Sequence, residues 1–398
     1  MLKRYKRILF ILTFLVALVV ILSRCMNAAD KIPDDVRGEN YAGAKTCVKC
    51  HADISKSFAH NAHGNSSSAV SAQNLNRFLT TDSNIFVFNN EMKVVVEQRD
   101  SGIYQVGYFN GKQVRAQRFD IAFGSGEKAF TYAYWKDKKL FQLPLSHFSE
   151  IKTWANSPGF PVNTMYFDRA ITSRCLECHS SFVKTQTRQV SALQIDEEME
   201  KGSLIYGIDC ERCHGPARQH AVFHLENPKE KAPKFITSYK TLSRKQKMDA
   251  CAVCHSGNTL TTIQTVFNFQ PGDNLDNFYA QDFVSFGGAN PDVHGNQSAM
   301  LEGSMCYRKS EMTCQSCHNT HESIKGKLNV YSQRCISCHQ TQKHTKETLA
   351  KGVLKANCID CHMPMQASKL ISFQTAGNKN VNPYLLRSHH IGIYPVKK

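Results

Sequence analysis

The chain has 398 residues, 41 % of them hydrophobic and 21 % charged, a balance that excludes disorder over most of its length and allows one large domain or two to three small ones. Its one long apolar run lies near the N-terminus, which excludes a polytopic membrane protein. The net charge of +16 raises nucleic-acid binding as a class. The basic residues are scattered, however, and their densest cluster after residue 30 is Lys136, Lys138 and Lys139, the composition of a solvated turn. The sixteen cysteines call for disulfides, metal or a covalent cofactor, and their spacing must decide.

In chain order, residues 1–30 read as an export signal or membrane anchor. Lys3, Arg4, Lys6 and Arg7 precede an apolar run from Ile8 to Leu22, followed by Ser23, Arg24 and Cys25, the tripartite secretory pattern. Three readings stand: an uncleaved anchor, a lipidated Cys25, or cleavage near Ala28 and Ala29. All place the rest of the chain in the periplasm or on the outer face of the cytoplasmic membrane, and two tether it there. Residues 31–79 form a first segment with one copy of the cysteine motif described below.

Residues 80–150 carry period-2 runs: Ile85–Phe88, Met92–Gln98, Ile103–Phe109, Gln113–Ala122, Phe130–Trp135 and Leu140–Leu143. Asn110-Gly111 between two of them is a strong hairpin signal, and Asp100–Gly102 and Gly124–Gly126 are further turns. An antiparallel β insertion is expected there, either as a brace or as a docking surface. Residues 151–398 form the remaining domain. Within it, Ser243 is a plausible N-cap for a helix through Arg244–Ala250.

Fourteen of the sixteen cysteines fall into Cys-x-x-Cys-His. The copies are Cys47/Cys50/His51, Cys175/Cys178/His179, Cys210/Cys213/His214, Cys251/Cys254/His255, Cys314/Cys317/His318, Cys335/Cys338/His339 and Cys358/Cys361/His362. This is the attachment signature of haem c. On one helical turn, positions i, i+3 and i+4 share a face, so two thiols can bond the porphyrin edge while the histidine reaches the iron as proximal ligand. Zinc ribbons use paired Cys-x-x-Cys but have no need of a histidine after every second cysteine. Seven covalent haems are therefore expected. Six motifs share 188 residues, about 31 each, too few for separate cores, so the cofactors must supply much of the apolar interior.

Five of the excess cations (Lys3, Arg4, Lys6, Arg7 and Arg24) flank the N-terminal run, leaving +11. Fourteen haem propionates and seven ferric irons would bring this to about +4. The basic balance thus compensates cofactor carboxylates, and no nucleic-acid partner is expected. Ten histidines remain as second axial ligands: His60, His63, His147, His220, His224, His294, His321, His344, His389 and His390. Two imidazoles on one iron give a saturated, low-potential centre suited to passing electrons. Cys306, outside the motifs, reads as a buried small hydrophobe.

Several strings give the chain a family likeness over residues 41 to about 395. They are Tyr41–Ala44 before the first motif with Phe58 and His63 after it, Cys213–Pro216 followed by His220, Asp292–His294, His318–His321, Cys361–Pro364, and His389–Ile391. Leu143–Ser146, Ser157–Phe160 and Arg174–His179 add to these. In them the chain resembles the multihaem cytochrome c superfamily that includes the tetrahaem cytochrome partner of hydroxylamine oxidoreductase. Cytochrome c nitrite reductase and octahaem hydroxylamine oxidoreductase are more distant likenesses. The resemblance implies a fold that is mainly α with much irregular chain, packed around haem. It also implies distal ligands at His63 (over His60), His220, His294, His321 and His389, with His224 and His344 left for the other two haems; His147 stands where relatives more often show Tyr. The Cys-x-x-Cys-Lys of the nitrite reductases has no counterpart here, so their activity does not carry over.

Two functions compete. One is an exported electron carrier serving redox proteins of a respiratory chain, such as a membrane quinol oxidase or an exported oxidoreductase. The other is a reductase or oxidase of a small nitrogen or sulfur compound (nitrite, hydroxylamine or tetrathionate) at one open haem. A zinc-containing binding module is the distant third.

Overall fold

The computed structural model describes residues 5, 11–16, 32–71, 74, 84–257, 260–280, 291–339, 344, 357–378 and 380–395. Apart from Tyr5 and residues 11–16, the segment 1–30 expected to direct export, with Cys25, Ala28 and Ala29, lies outside them. Among the described residues no helix is long and apolar enough to cross a membrane.

The first motif follows Gly43 on α1 (Ala44–Cys50) and leads into α2 (Ala52–Phe58). After β1 (Ser67–Ala69), ten antiparallel strands come in succession: β2 (Ile85–Val87), β3 (Met92–Arg99), β4 (Gly102–Phe109), β5 (Lys112–Arg118), β6 (Ile121–Phe123), β7 (Ala129–Lys136), β8 (Lys139–Gln142), β9 (Leu145–Phe148), β10 (Thr153–Asn156) and β11 (Arg169–Ile171). Strands β2 to β5 form a four-stranded sheet in sequence order. A seven-stranded sheet runs β1-β6-β7-β8-β11, with β9 pairing both β7 and β10. At the β4–β5 turn, Asn110 and Gly111 both take positive φ, 47° and 73°, the type I′ geometry that matches strand twist.

The run expected from Gln113 to Ala122 is two strands, not one. The Phe119 amide donates to Ile103 of one sheet and the Asp120 amide to Ala133 of the other, so the chain changes sheets between them. Side chains alternate inward and pack a shared core of Val94, Ile103, Phe119, Tyr132, Leu143, Trp154 and Phe167. Phe119 and Tyr132 lie 4.2 Å apart and Tyr132 and Trp154 5.6 Å apart by ring centroid.

The remaining elements are short. They are α3 (Ser173–His179), β12 (Ser180–Phe182), β13 (Thr185–Ser191), β14 (Gln194–Met199), β15 (Ile205–Tyr206), α4 (Cys210–His214), α5 (Arg218–Glu226), α6 (Arg244–His255), α7 (Gln297–Glu302), α8 (Met305–Arg308), α9 (Leu328–Ile336), α10 (Ile359–His362), β16 (Met365–Phe373) and β17 (Asn382–Arg387). α6 is the helix expected after Ser243, which closes a reciprocal capping box with Gln246.

The expectation of a mainly α fold is corrected. Among the described residues helix and strand are nearly equal, about 27 % and 28 %, with several antiparallel sheets. A motif needs helix only from its first cysteine to its histidine, so α4 is five residues long and α10 four. The hairpins β13–β14 and β16–β17 add strand well beyond residue 150. The second hairpin returns to the β region, where Phe373 stacks on Phe148 at 4.6 Å.

Candidate haem sites

Each motif lies on a helical or 3-10 turn whose backbone closes across it. The amides of His51, His318, His339 and His362 donate to the carbonyls of Cys47, Cys314, Cys335 and Cys358 at 2.9–3.1 Å. His179, His214 and His255 end α3, α4 and α6. The two sulfurs and the imidazole therefore share one face in every copy.

All fourteen motif cysteines and all seven motif histidines line a single cavity of about 2960 Å³, roughly three to ten times an ordinary small-ligand pocket. His63, His220, His224, His294, His321, His344 and His389 line it too, whereas His60, His147 and His390 do not.

Imidazoles meet across this cavity in pairs. Ring centroids are 6.3 Å apart for His51 and His220, 5.9 Å for His214 and His321, 6.1 Å for His255 and His63, 6.2 Å for His318 and His389, and 6.3 Å for His362 and His344. His294 lies within electrostatic reach of His179. A metal–imidazole bond of about 2.0–2.1 Å on each side, plus roughly 1.1 Å from nitrogen to ring centre, puts two imidazoles on one metal roughly 6.3 Å apart. The pairs match this separation in both orientations, from 4° to 81° between planes, because rotation about the shared axis leaves the spacing unchanged.

Three of the outer nitrogens are held as metal-binding histidines require. Nδ1 of His220 donates to the Lys234 carbonyl at 2.8 Å, Nδ1 of His362 to the Gly392 carbonyl at 2.8 Å, and Nδ1 of His255 to Oε1 of Gln297 at 3.1 Å. Each leaves Nε2 free. Burial, with His255 and His318 nearby, depresses His63 to about 4; burial, with His318 nearby, does the same for His389. Both stay neutral at physiological pH, the protonation state that binds metal. Nε2 of His224 and Nδ1 of His294 and His344 are buried without a hydrogen-bond partner among the described residues. His224 lies beside His220, 4.6 Å away, rather than opposite a motif histidine.

Buried polar groups bring the motifs together. Glu211, in the third motif, accepts from the amides of Ala42, Gly43 and Ala217 at 2.9 Å and from Arg37 at 2.8 Å. Arg37 also bonds Asp35 and Asp209. Burial opposes the ionised Asp35, yet hydrogen bonds from Arg37 hold its carboxyl below the usual range. Burial pushes Glu211 up, partly offset by the amides and Arg37. Glu177, in the second motif, accepts from Thr265 Oγ1 at 2.7 Å and the Val266 amide at 3.1 Å, while its carbonyl accepts from Arg212 of the third motif. A charged residue between the two cysteines was the available sequence signal for Glu177 and Glu211; burial was not readable from it. Cys306, expected buried, is half-buried and lines the cavity.

Thioether-spaced sulfurs, paired imidazoles and one continuous cavity define a protein built to hold several porphyrins covalently. Residues 135–215 match the family model for cytochrome c554 and c-prime. The multiheme cytochrome MtrA of Shewanella baltica is 28 % identical over 197 residues, 48 % of this chain and 45 % of that protein. The dissimilatory sulfite reductase MccA of Wolinella succinogenes is 25 % identical over 196 residues, 49 % of this chain and 24 % of that one. The chain thus spans less than half the length of these relatives. The structure of the outer cell wall cytochrome OcwA superposes with a TM-score of 0.52 at 15 % identity, over 88 % of this chain and 79 % of that one, a likeness of fold.

Over these segments the chain is similar to multihaem c-type cytochromes. The paired thiols and following histidine of each motif fit covalently bound haem c.

Proposed function

We propose that this chain carries seven haem c groups, one per Cys-x-x-Cys-His, and relays electrons among them. The facing imidazoles at 5.9–6.3 Å carry this reading. Haem c, when bound, supplies reversible one-electron chemistry. The chain supplies spacing, ligands and exclusion of water. Cys47, Cys50, Cys175, Cys178, Cys210, Cys213, Cys251, Cys254, Cys314, Cys317, Cys335, Cys338, Cys358 and Cys361 hold the porphyrin edges. His51, His179, His214, His255, His318, His339 and His362 are the proximal ligands. His220, His294, His321, His63, His389 and His344 face six of them.

Contacts between motifs give a route. Cys47 touches Cys210, Cys178 touches Cys254, and Cys251 touches Cys314. Cys213 lies near Cys251 and Cys254, and Cys335 near Cys317 and Cys358. The motifs therefore follow one another as one, three, four, five, six and seven, with the second branching from the fourth toward the β region. Motif two is seated on that region: Phe123 of β6 meets His179 edge-on at 5.9 Å, and Ser66 Oγ donates to the His179 carbonyl at 2.9 Å. The N-terminal sequence pattern favours export to the periplasm or outer membrane face, where respiratory redox proteins are the natural partners.

A pyridine haemochrome assay with intact mass should return seven covalent haems per chain, and ferric spectra dominated by low-spin, two-imidazole signals. Four or fewer haems, or a largely high-spin spectrum, would overturn the relay.

A further inference from the structure

All seventeen histidines of the chain lie among the described residues, so their roles can be assigned by exhaustion. Ten form the five pairs measured above, and His294 lies within electrostatic reach of His179. His147 packs on Trp154 at 5.3 Å in β9, His224 lies against His220, His390 bonds Tyr394 at 3.0 Å, and His60 is exposed on the turn after α2. That leaves His339, in motif six, with no imidazole opposite it.

Motif six is nevertheless tied into the series. The amide of Cys358 in motif seven donates to Ser332 Oγ of α9 at 2.9 Å, and Arg334 reaches the Ser316 carbonyl of motif five at 3.5 Å. Cys338 and His339 are exposed. The site thus sits between two paired motifs, its attachment residues are exposed, and the Arg334 guanidinium beside it turns toward motif five.

We propose that motif six is the chain's small-molecule site. A haem held by Cys335, Cys338 and His339 would meet no imidazole of this chain opposite His339 and would take an exogenous small lone-pair donor instead. This rests on the reading that each motif holds one haem c. The other six motifs have their sixth position filled by an imidazole of this chain; motif six takes its ligand from solution.

The test uses the full-length, haem-loaded protein. The haemochrome count is made first and separately, so a shortfall there strikes the seven-haem reading rather than this one. With seven haems confirmed, a high-spin ferric signal equal to about one haem in seven is expected in electron paramagnetic resonance. Carbon monoxide should bind the dithionite-reduced protein at one equivalent per chain, and nitrite or sulfite should perturb only that high-spin signal. His344→Ala should raise carbon monoxide binding to two equivalents. The Cys335→Ala/Cys338→Ala double variant should lose the wild-type equivalent. A fully low-spin wild-type protein that binds no carbon monoxide means the chain caps motif six itself and overturns the proposal. So does a high-spin signal that survives the double cysteine variant. If that variant fails to fold, the His344→Ala count decides, because a closed motif six yields one equivalent rather than two.

Discussion

Residues 84–171 and the segment from Cys175 to His362 solve the same problem, burying apolar surface, in opposite ways. The first packs Trp154, Tyr132 and Phe119 against one another, each 2 % exposed or less. The second arranges its sulfurs and imidazoles around a cavity of about 2960 Å³. Its elements hold one another through buried polar groups such as Glu211 and Glu177, with a small apolar cluster of Val253, Val266, Phe269, Phe278 and Tyr279 beside α6. The first region has a hydrophobic core of its own, and a second apolar cluster joins it to motif two. The second has a polar skeleton whose apolar interior must be supplied by the cofactor. Stability should therefore depend on haem in one region and not in the other.

The largest expected effect follows directly. Chain produced without haem attachment should lose the motif region and keep the β region. Limited proteolysis should leave a resistant fragment spanning roughly Ile85–Ile171, with strand signal retained in circular dichroism and helix signal lost. Equal resistance across the chain would show that the polar skeleton suffices by itself.

Next come substitutions that attack each region by its own mechanism. Trp154→Ala empties space in the aromatic core and should cost about 3–5 kcal/mol, with haem spectra unchanged below the transition. Arg37→Ala leaves the buried carboxylates of Asp35, Asp209 and Glu211 uncompensated and should also cost about 3–5 kcal/mol. Here the loss should appear at motifs one and three, read as loosened His51–His220 and His214–His321 ligation. His63→Ala should cost less in stability and convert one further haem, that of motif four, to high spin. Because His63 lies twelve residues from the first motif, the same signal arising from motif one would show that the pairing is local.

That last point separates what the sequence disclosed from what it did not. Attachment sites are local: Cys, Cys and His at i, i+3 and i+4 need only one helical turn, and all seven were legible. So was the Asn110-Gly111 hairpin, since its turn chemistry is carried by two adjacent residues. The pairing of imidazoles is not local. His63 serves His255, and His321 serves His214 rather than its neighbour His318, so proximity in sequence misleads about partners. The extra strands escaped for another reason. Thr185–Ser191 is exposed at every position, and a strand with no buried face carries no period-2 signal. Apart from α6, which its Ser243 cap announced, the motif helices escaped as well, most being shorter than the two turns over which amphipathic periodicity can be read.

The smallest expected effect tests whether the two regions are independent. Gly111 takes φ 73° with nothing within 4 Å of where a Cβ would stand, so Gly111→Ala incurs only the backbone penalty of a left-handed alanine, about 1–2 kcal/mol. Gly207 takes a similar φ of 67°, but a Cβ there would collide with the carbonyl of Gly64. The next amide along, Ile208, donates to the carbonyl of His63 at 2.9 Å. Gly207→Ala should therefore cost more than the same change at 111 and also disturb the His63–His255 pair. Denaturant unfolding followed by strand signal and by haem absorbance should distinguish the two. Gly111→Ala should shift the first and leave the second in place, while Gly207→Ala should shift the haem-detected transition and alter the ligation spectrum of motif four. Identical shifts in both signals for Gly111→Ala would mean that the β region and the haem-bearing region unfold as one unit, because a turn remote from every motif could then reach the ligands only through the sheets that seat motif two.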